Sequence, residues 1–146
     1  MSVKAIPEGY QTVTPYLAVH GAAALIAFLQ RAFDAHERQR HALPDGRIIN
    51  AQLRVGDSMM LIADAAPDRP PAPAMFYMYV EDVDGAYRKA VLAGGTSFRE
   101  PADQFYGDRI AAVEDPCGNQ WFLASHREDM TEEELVRRAL ELGSSR

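Results

Sequence analysis

The chain repeats itself. Tyr16-Leu17-Ala18-Val19 returns as Tyr77-Met78-Tyr79-Val80, Arg47-Ile48 as Arg109-Ile110, and Gly56-Asp57 as Gly118-Asn119, so the offset holds at 61 or 62 residues. Between the copies lies Ala65-Ala66-Pro67-Asp68-Arg69-Pro70-Pro71-Ala72-Pro73-Ala74, whose four prolines exclude both helix and central strand. Identity between the copies is low. What recurs is the order of turns and periodicities, the mark of one supersecondary unit used twice.

In the first copy, residues 12–19 alternate as a strand, with Val13, Pro15, Leu17 and Val19 on one side and Thr14, Tyr16 and Ala18 on the other. Pro15 has no N–H to donate, which predicts an edge strand. Residues 22–33 form a helix with Leu25, Phe28, Leu29 and Ala32 on one stripe. Residues 36–43 are extended, Pro44-Asp45-Gly46 is a turn, 47–55 a strand, Gly56-Asp57 a second turn and 58–63 another strand. In the second copy, 75–80 is a strand. Asp82 caps a helix over 83–92 that Gly94-Gly95 stops. Residues 97–105 read as irregular and partly extended, 109–115 as a strand, Asp115-Pro116-Cys117-Gly118 as a turn, and 119–125 as the last strand. Thr131 and Glu134 make a capping box for a helix over 131–142. The expectation is one α+β domain over 1–146: a βαβββ module at 10–64, a linker at 65–74, a second module at 75–126, and the C-terminal helix.

Charge and composition narrow the function. The net charge is −6 with no basic cluster, so nucleic acid is not an expected partner. No apolar run approaches the roughly 20 residues of a membrane span, and the residues up to Tyr10 lack the basic and apolar stretches of a leader. One cysteine, Cys117, permits no disulfide within the chain and suits a reducing cytoplasm. In the strands one residue set is apolar (Leu17/Val19, Ala51/Leu53/Val55, Met59/Leu61, Phe76/Met78/Val80, Trp121/Leu123) and is expected to face the helices. The opposite set is mixed and rich in aromatic and amide groups: Thr14/Tyr16, Asn50/Gln52/Arg54, Met60/Ile62, Met75/Tyr77/Tyr79, Ala112/Glu114 and Gln120/Phe122. Such a surface suits a small-molecule pocket.

The stretch Tyr106-Gly107-Asp108-Arg109, then Glu114-Asp115-Pro116-Cys117-Gly118-Asn119-Gln120-Trp121-Phe122-Leu123, resembles the end of a vicinal oxygen chelate protein, the glyoxalase, bleomycin-resistance and dioxygenase group. The opening Gly9-Tyr10-Gln11-Thr12-Val13-Thr14-Pro15-Tyr16-Leu17, with Asp45-Gly46-Arg47 and Val55-Gly56-Asp57-Ser58, resembles its PhnB-like subgroup. The resemblance runs from about Ile6 to about Asp129. It implies that each module curls its mixed sheet into half of a cup, with helices on the outer face and the ligand in the hollow. It also implies a homodimer whose modules pair within or between chains.

Many members of this group hold a divalent metal with His and Glu at strand positions that fall here on Thr14, Met60, Met75 and Phe122. None is a first-choice ligand. A slip of two residues meets Thr12, Tyr16, Ser58, Ile62, Pro73, Tyr77, Gln120 and Ala124, again without His or carboxylate. No metal and no cofactor is therefore expected. His20, His36, His41 and His126 show no ligand spacing, and His126 reads as exposed. Cys117 reads as inert. Glu114 is the one candidate acid or base, on the cup side with Gln52 and near Arg109. The expected ligand-binding set is Tyr16, Asn50, Gln52, Met60, Tyr77, Tyr79, Arg109, Glu114 and Phe122. The leading reading is a metal-free protein that binds an aromatic antibiotic or metabolite. A lyase, isomerase or dioxygenase and a non-catalytic interaction domain are the alternatives.

Overall fold

The computed structural model describes residues 2–144. The first copy folds as β1 (Tyr16–Val19), α1 (Ala22–Phe33), β2 (His36–Ala42), β3 (Ile48–Val55) and β4 (Ser58–Asp64). The second folds as β5 (Met75–Tyr79), α2 (Val83–Leu92), β6 (Thr96–Asp103), β7 (Asp108–Glu114) and β8 (Gln120–His126), and α3 (Glu132–Ser144) follows. Sheet 1 runs β1-β4-β3-β2 and sheet 2 runs β5-β8-β7-β6. The β1/β4 and β5/β8 pairs are parallel and the others antiparallel. The fold is α+β: two βαβββ modules with mixed, unclosed sheets and a C-terminal helix.

Local chemistry accounts for the boundaries. β1 begins at Tyr16 rather than Thr12, because Pro15 has no N–H for the ladder; its carbonyl still accepts from Leu61 N at 2.9 Å. Residues 96–103, expected to be irregular, are a full edge strand broken by register shifts between Ser97 and Arg99 and between Arg99 and Ala102. The edge position tolerates Pro101. Asp82 caps α2 by accepting from Gly85 N, and Thr131 Oγ1 accepts from Glu134 N at the start of α3.

One face assignment is overturned. Gly56 takes φ +60 in a two-residue hairpin that sets Val55 opposite Ser58. Leu53 then lies opposite Met60 and Ala51 opposite Ile62. Residues paired across a ladder share a face, so Met60 and Ile62 join Ala51 and Leu53 on the helix side, and Met59 and Leu61 take the other. Met60 is 4% exposed and belongs to the core.

Leu25, Ile26, Phe28 and Leu29 of α1 are fully buried against Leu17, Leu53 and Ile62 of sheet 1. Each such side chain contributes about 1.5–3 kcal/mol by leaving water. The same core continues through Ala90 of α2 into Val113, Trp121 and Leu123 of sheet 2. The Phe33 ring lies 5.2 Å from Trp121, which stacks on Phe76 at 4.4 Å. Lys89 of α2 pairs with Asp34 at 2.5 Å. Each helix thus covers the back of its own sheet, and the two backs meet. The remaining face of each sheet opens away from this shared core, so within one chain the two half-cups do not face each other.

Candidate functional site

The open face of sheet 2 is aromatic. Cross-strand register puts Met75, Tyr77 and Tyr79 of β5 on one side with Gln120, Phe122 and Ala124 of β8, and Ala112 and Glu114 of β7 beside these. Tyr77 and Phe122 are direct partners, their rings 6.4 Å apart and 11° from parallel. Phe98 meets Phe122 edge-on at 6.0 Å, and the Arg99 guanidinium sits 5.8 Å above the same ring. Met75 and Tyr79 are 67% and 65% exposed.

Beneath this face lies a carboxylate that sequence reasoning missed. Asp108 opens β7 opposite His126 and is only 5% exposed. Its Oδ2 accepts from Tyr77 Oη at 2.7 Å and from Tyr79 Oη at 3.3 Å. Its Oδ1 lies 2.8 Å from His126 Nδ1, whose other ring nitrogen is 2.6 Å from Asp129. Burial opposes ionisation of Asp108, but the bonds from His126, Tyr77 and Tyr79 prevail and hold its carboxyl below the ordinary range. Asp108 and then Asp129 raise His126. Burial, Tyr106 and Asp108 push the Tyr77 phenol up, so it remains a donor at neutral pH. Gly107 makes the arrangement possible: at φ +97 it brings the chain against Glu128, where a Cβ would collide with that carbonyl. Parity was the available signal, since Asp108 and His126 fall on the same alternate as Ala112 and Phe122.

The open face of sheet 1 is polar. Tyr16, Leu61, Gln52 and Gln39 form one row across the four strands, and Asn50 pairs with His41 in the next. Gln52 donates to Gln39 at 3.3 Å, and the side-chain oxygen of Asn50 is buried with no partner among the described residues. Arg69, from the linker, reaches back onto this face: its Nη1 donates to Tyr16 Oη at 2.6 Å.

Of the expected ligand set, Tyr77, Tyr79 and Phe122 come together on sheet 2, with Glu114 exposed at the far end of β7. Tyr16, Asn50 and Gln52 come together on sheet 1. Two do not belong. Met60 faces the core, for the hairpin reason given above. Arg109 pairs with Ser125, not with Phe122 or Ala124, and therefore lies on the helix side. There its guanidinium binds both carboxylate oxygens of Asp84 at 2.9 Å and reaches Asp103 at 3.1 Å. Trp121 is buried on that side, as its alternate predicts, with its Nε1 donating to Asp115 at 2.9 Å. Where the modules meet, a groove of about 760 Å³ runs beside β5, lined by Phe33, Met59, Met60, Phe76 and Trp121 and bordered by Tyr77 and Tyr79.

Residues 11–123 match the family model described as the glyoxalase/bleomycin resistance protein/dioxygenase superfamily. The chain belongs to that superfamily. It is 33% identical over 134 residues to the uncharacterized protein Mb0911c of Mycobacterium bovis, covering 84% of this chain and 88% of that one. Its fold is similar to that of TioX from Micromonospora sp. ML1, with a TM-score of 0.68, 20% identity, and 80% and 98% of the two chains covered. It is also similar to a glyoxalase/bleomycin resistance protein/dioxygenase from Nocardioides, with a TM-score of 0.64, 19% identity, and 84% and 87% covered.

The metal chemistry of the superfamily finds no matching donors in this member. Of the four positions where the resemblance places ligands, Met60 points into the core, and Met75 and Phe122 offer a thioether and a ring. Thr14 supplies one hydroxyl. Among the described residues no three His, Cys, Asp or Glu side chains converge. This donor set does not suit a divalent ion at the family position.

Proposed function

We propose that the protein binds a small aromatic molecule without a metal, on the open face of sheet 2, and does not transform it. One observation carries this reading. The hydroxyls of Tyr77 and Tyr79 are turned inward onto buried Asp108, so the rings are fixed and their apolar surfaces are presented outward. An exposed aromatic patch of fixed geometry is a recognition surface rather than a solvated one.

Because the open faces of one chain point apart, a closed pocket needs a second copy, with sheet 1 of one subunit facing sheet 2 of the other. The reading is thus a homodimer with two equivalent pockets. A drug-sequestering role of the bleomycin-resistance type fits it, as do the PhnB-like opening motifs and a reducing cytoplasm. No described helix is long and apolar enough to cross a membrane. An acid–base enzyme is less well supported. Glu114 is exposed, and both ring nitrogens of His126 are already engaged.

A thermal-shift screen of aromatic compounds, followed by chromatography of the hits after incubation, tests the reading. A ligand at 100 times its Kd should add about 2.7 kcal/mol, or roughly 5–10 °C in Tm for a chain of this size. The shift should vanish in Tyr77→Ala, and the compound should be recovered unchanged. Failure of every aromatic compound to stabilise the protein, or consumption of a hit, overturns it.

A further inference from the structure

The two open faces differ in charge as well as in aromaticity. The strands of sheet 1 place Arg54, His36 and His41 on the open face and no carboxylate; Glu37 and Asp64 pair on the helix side. Arg69 joins them from the linker, which a short bridge between Ala66 and Arg69 shapes into a turn. It donates one bond to Tyr16 Oη, and its guanidinium lies 5.6 Å from the centre of that ring. Among the described residues it has no carboxylate partner, and its Nε has no acceptor. A guanidinium without a carboxylate is best satisfied by a planar anion accepting two parallel bonds.

Sheet 2 supplies no competing anchor of that kind. Its buried carboxylate, Asp108, is saturated by three donors and cannot take a cationic ligand without losing one of them. On its open face Arg99 is exposed and rests on Phe122, and His126 is engaged by Asp108 and Asp129.

Resting on the binding function above, we propose that the ligand is an aromatic anion, a ring bearing a carboxylate or similar oxyanion. Its ring lies on Tyr77 and Phe122 of one subunit, and its charge is held by Arg69 beside Tyr16 of the other. Arg69 is then the residue that sets ligand class, and each pocket is shared between chains.

The test uses three probes of one shape: 1-naphthoate, neutral 1-naphthamide and cationic 1-naphthylmethylammonium, titrated calorimetrically into the full-length protein. Naphthoate should bind at least about tenfold tighter than either of the others, as a charge-assisted pair implies. Arg69→Gln should remove that preference and leave naphthamide within about twofold. Arg69→Lys should restore part of it, and Arg99→Gln should leave it intact. Arg69→Gln and Tyr77→Ala chains, co-expressed with different tags and purified as the heterodimer, should regain about half the wild-type naphthoate stoichiometry, since one of two pockets is whole.

Equal binding of the three probes, a preference that survives Arg69→Gln or disappears with Arg99→Gln, or a heterodimer that fails to form or to bind, overturns the inference. If naphthamide binds and depends on Tyr77 while charge is ignored, the aromatic-binding function stands and only the anion assignment falls. If Tyr77→Ala leaves naphthamide unaffected, the binding face itself is wrong.

Discussion

Replacing Asp108 by Asn keeps the side-chain volume and removes the charge that organises the aromatic face. The carboxylate is 5% exposed and accepts a 2.7 Å bond from Tyr77. A bond to a charged acceptor contributes about 1.5–3 kcal/mol, so Asp108→Asn should destabilise the fold by about that amount near pH 6. For a chain of this size that is roughly 3–12 °C in Tm. His126 adds no assigned energy, because half of its side chain is in water. It does set the pH dependence. His126 is raised in the folded state by Asp108 and Asp129, so its contribution is complete below the unfolded value of about 6.5 and is lost as pH rises through the folded one. Asp108 is lowered, so its contribution is present above about 3.9 and is lost as pH falls through the folded value. The penalty of Asp108→Asn should therefore be largest between about pH 4.5 and 6.5 and shrink on both sides. Urea unfolding of both proteins at intervals from about pH 2.5 to pH 9 measures it. A penalty under about 0.5 kcal/mol at pH 6, or one that does not vary with pH, refutes the assignment of Asp108 as the organising group.

Three further outcomes follow from the packing. Met60→Ala should cost about 2–5 kcal/mol by leaving a cavity in the shared core, while Met75→Ala, on the exposed face, should stay within about 0.5 kcal/mol; equal penalties would restore Met60 to the open side. Asp115→Ala strips acceptors from Cys117 N, Asn119 N, Asn119 Nδ2 and Trp121 Nε1. Unfolding midpoints should show a loss of at least about 3 kcal/mol, and a loss under 1 kcal/mol would mean that water replaces the carboxylate. Burial, then Asp115 and Asp64, push the Cys117 thiol up to about 11. Iodoacetamide at pH 7.5 should therefore alkylate it about a hundredfold more slowly than a free cysteine, and labelling at the free rate contradicts the buried environment.

How much of this was legible in the sequence depends on the range of the interaction that decided it. The repeat, the helices at 22–33 and 83–92, the Asp82 and Thr131 caps and the aromatic alternate of the fifth and eighth strands are set within a few residues, and the chain alone determined them. The face of Met60 was also written in the sequence. A two-residue turn at Gly56-Asp57 forces odd positions of one strand opposite even positions of the next, so continuing the same parity across the hairpin placed Met59 and Met60 the wrong way round. Edge strand β6 was obscured because its alternation is broken by two bulges and Pro101, and only pairing with β7 defines it. Asp108 with Tyr77 and His126, and Arg69 with Tyr16, join residues 31, 18 and 53 positions apart. No periodicity carries such pairings, because they depend on ladder register and on the path of the linker. Tertiary structure alone decided that the two modules pack back to back. Each helix is apolar enough to cover its own sheet, and only the shared burial of Phe28, Phe33 and Trp121 turns the open faces outward.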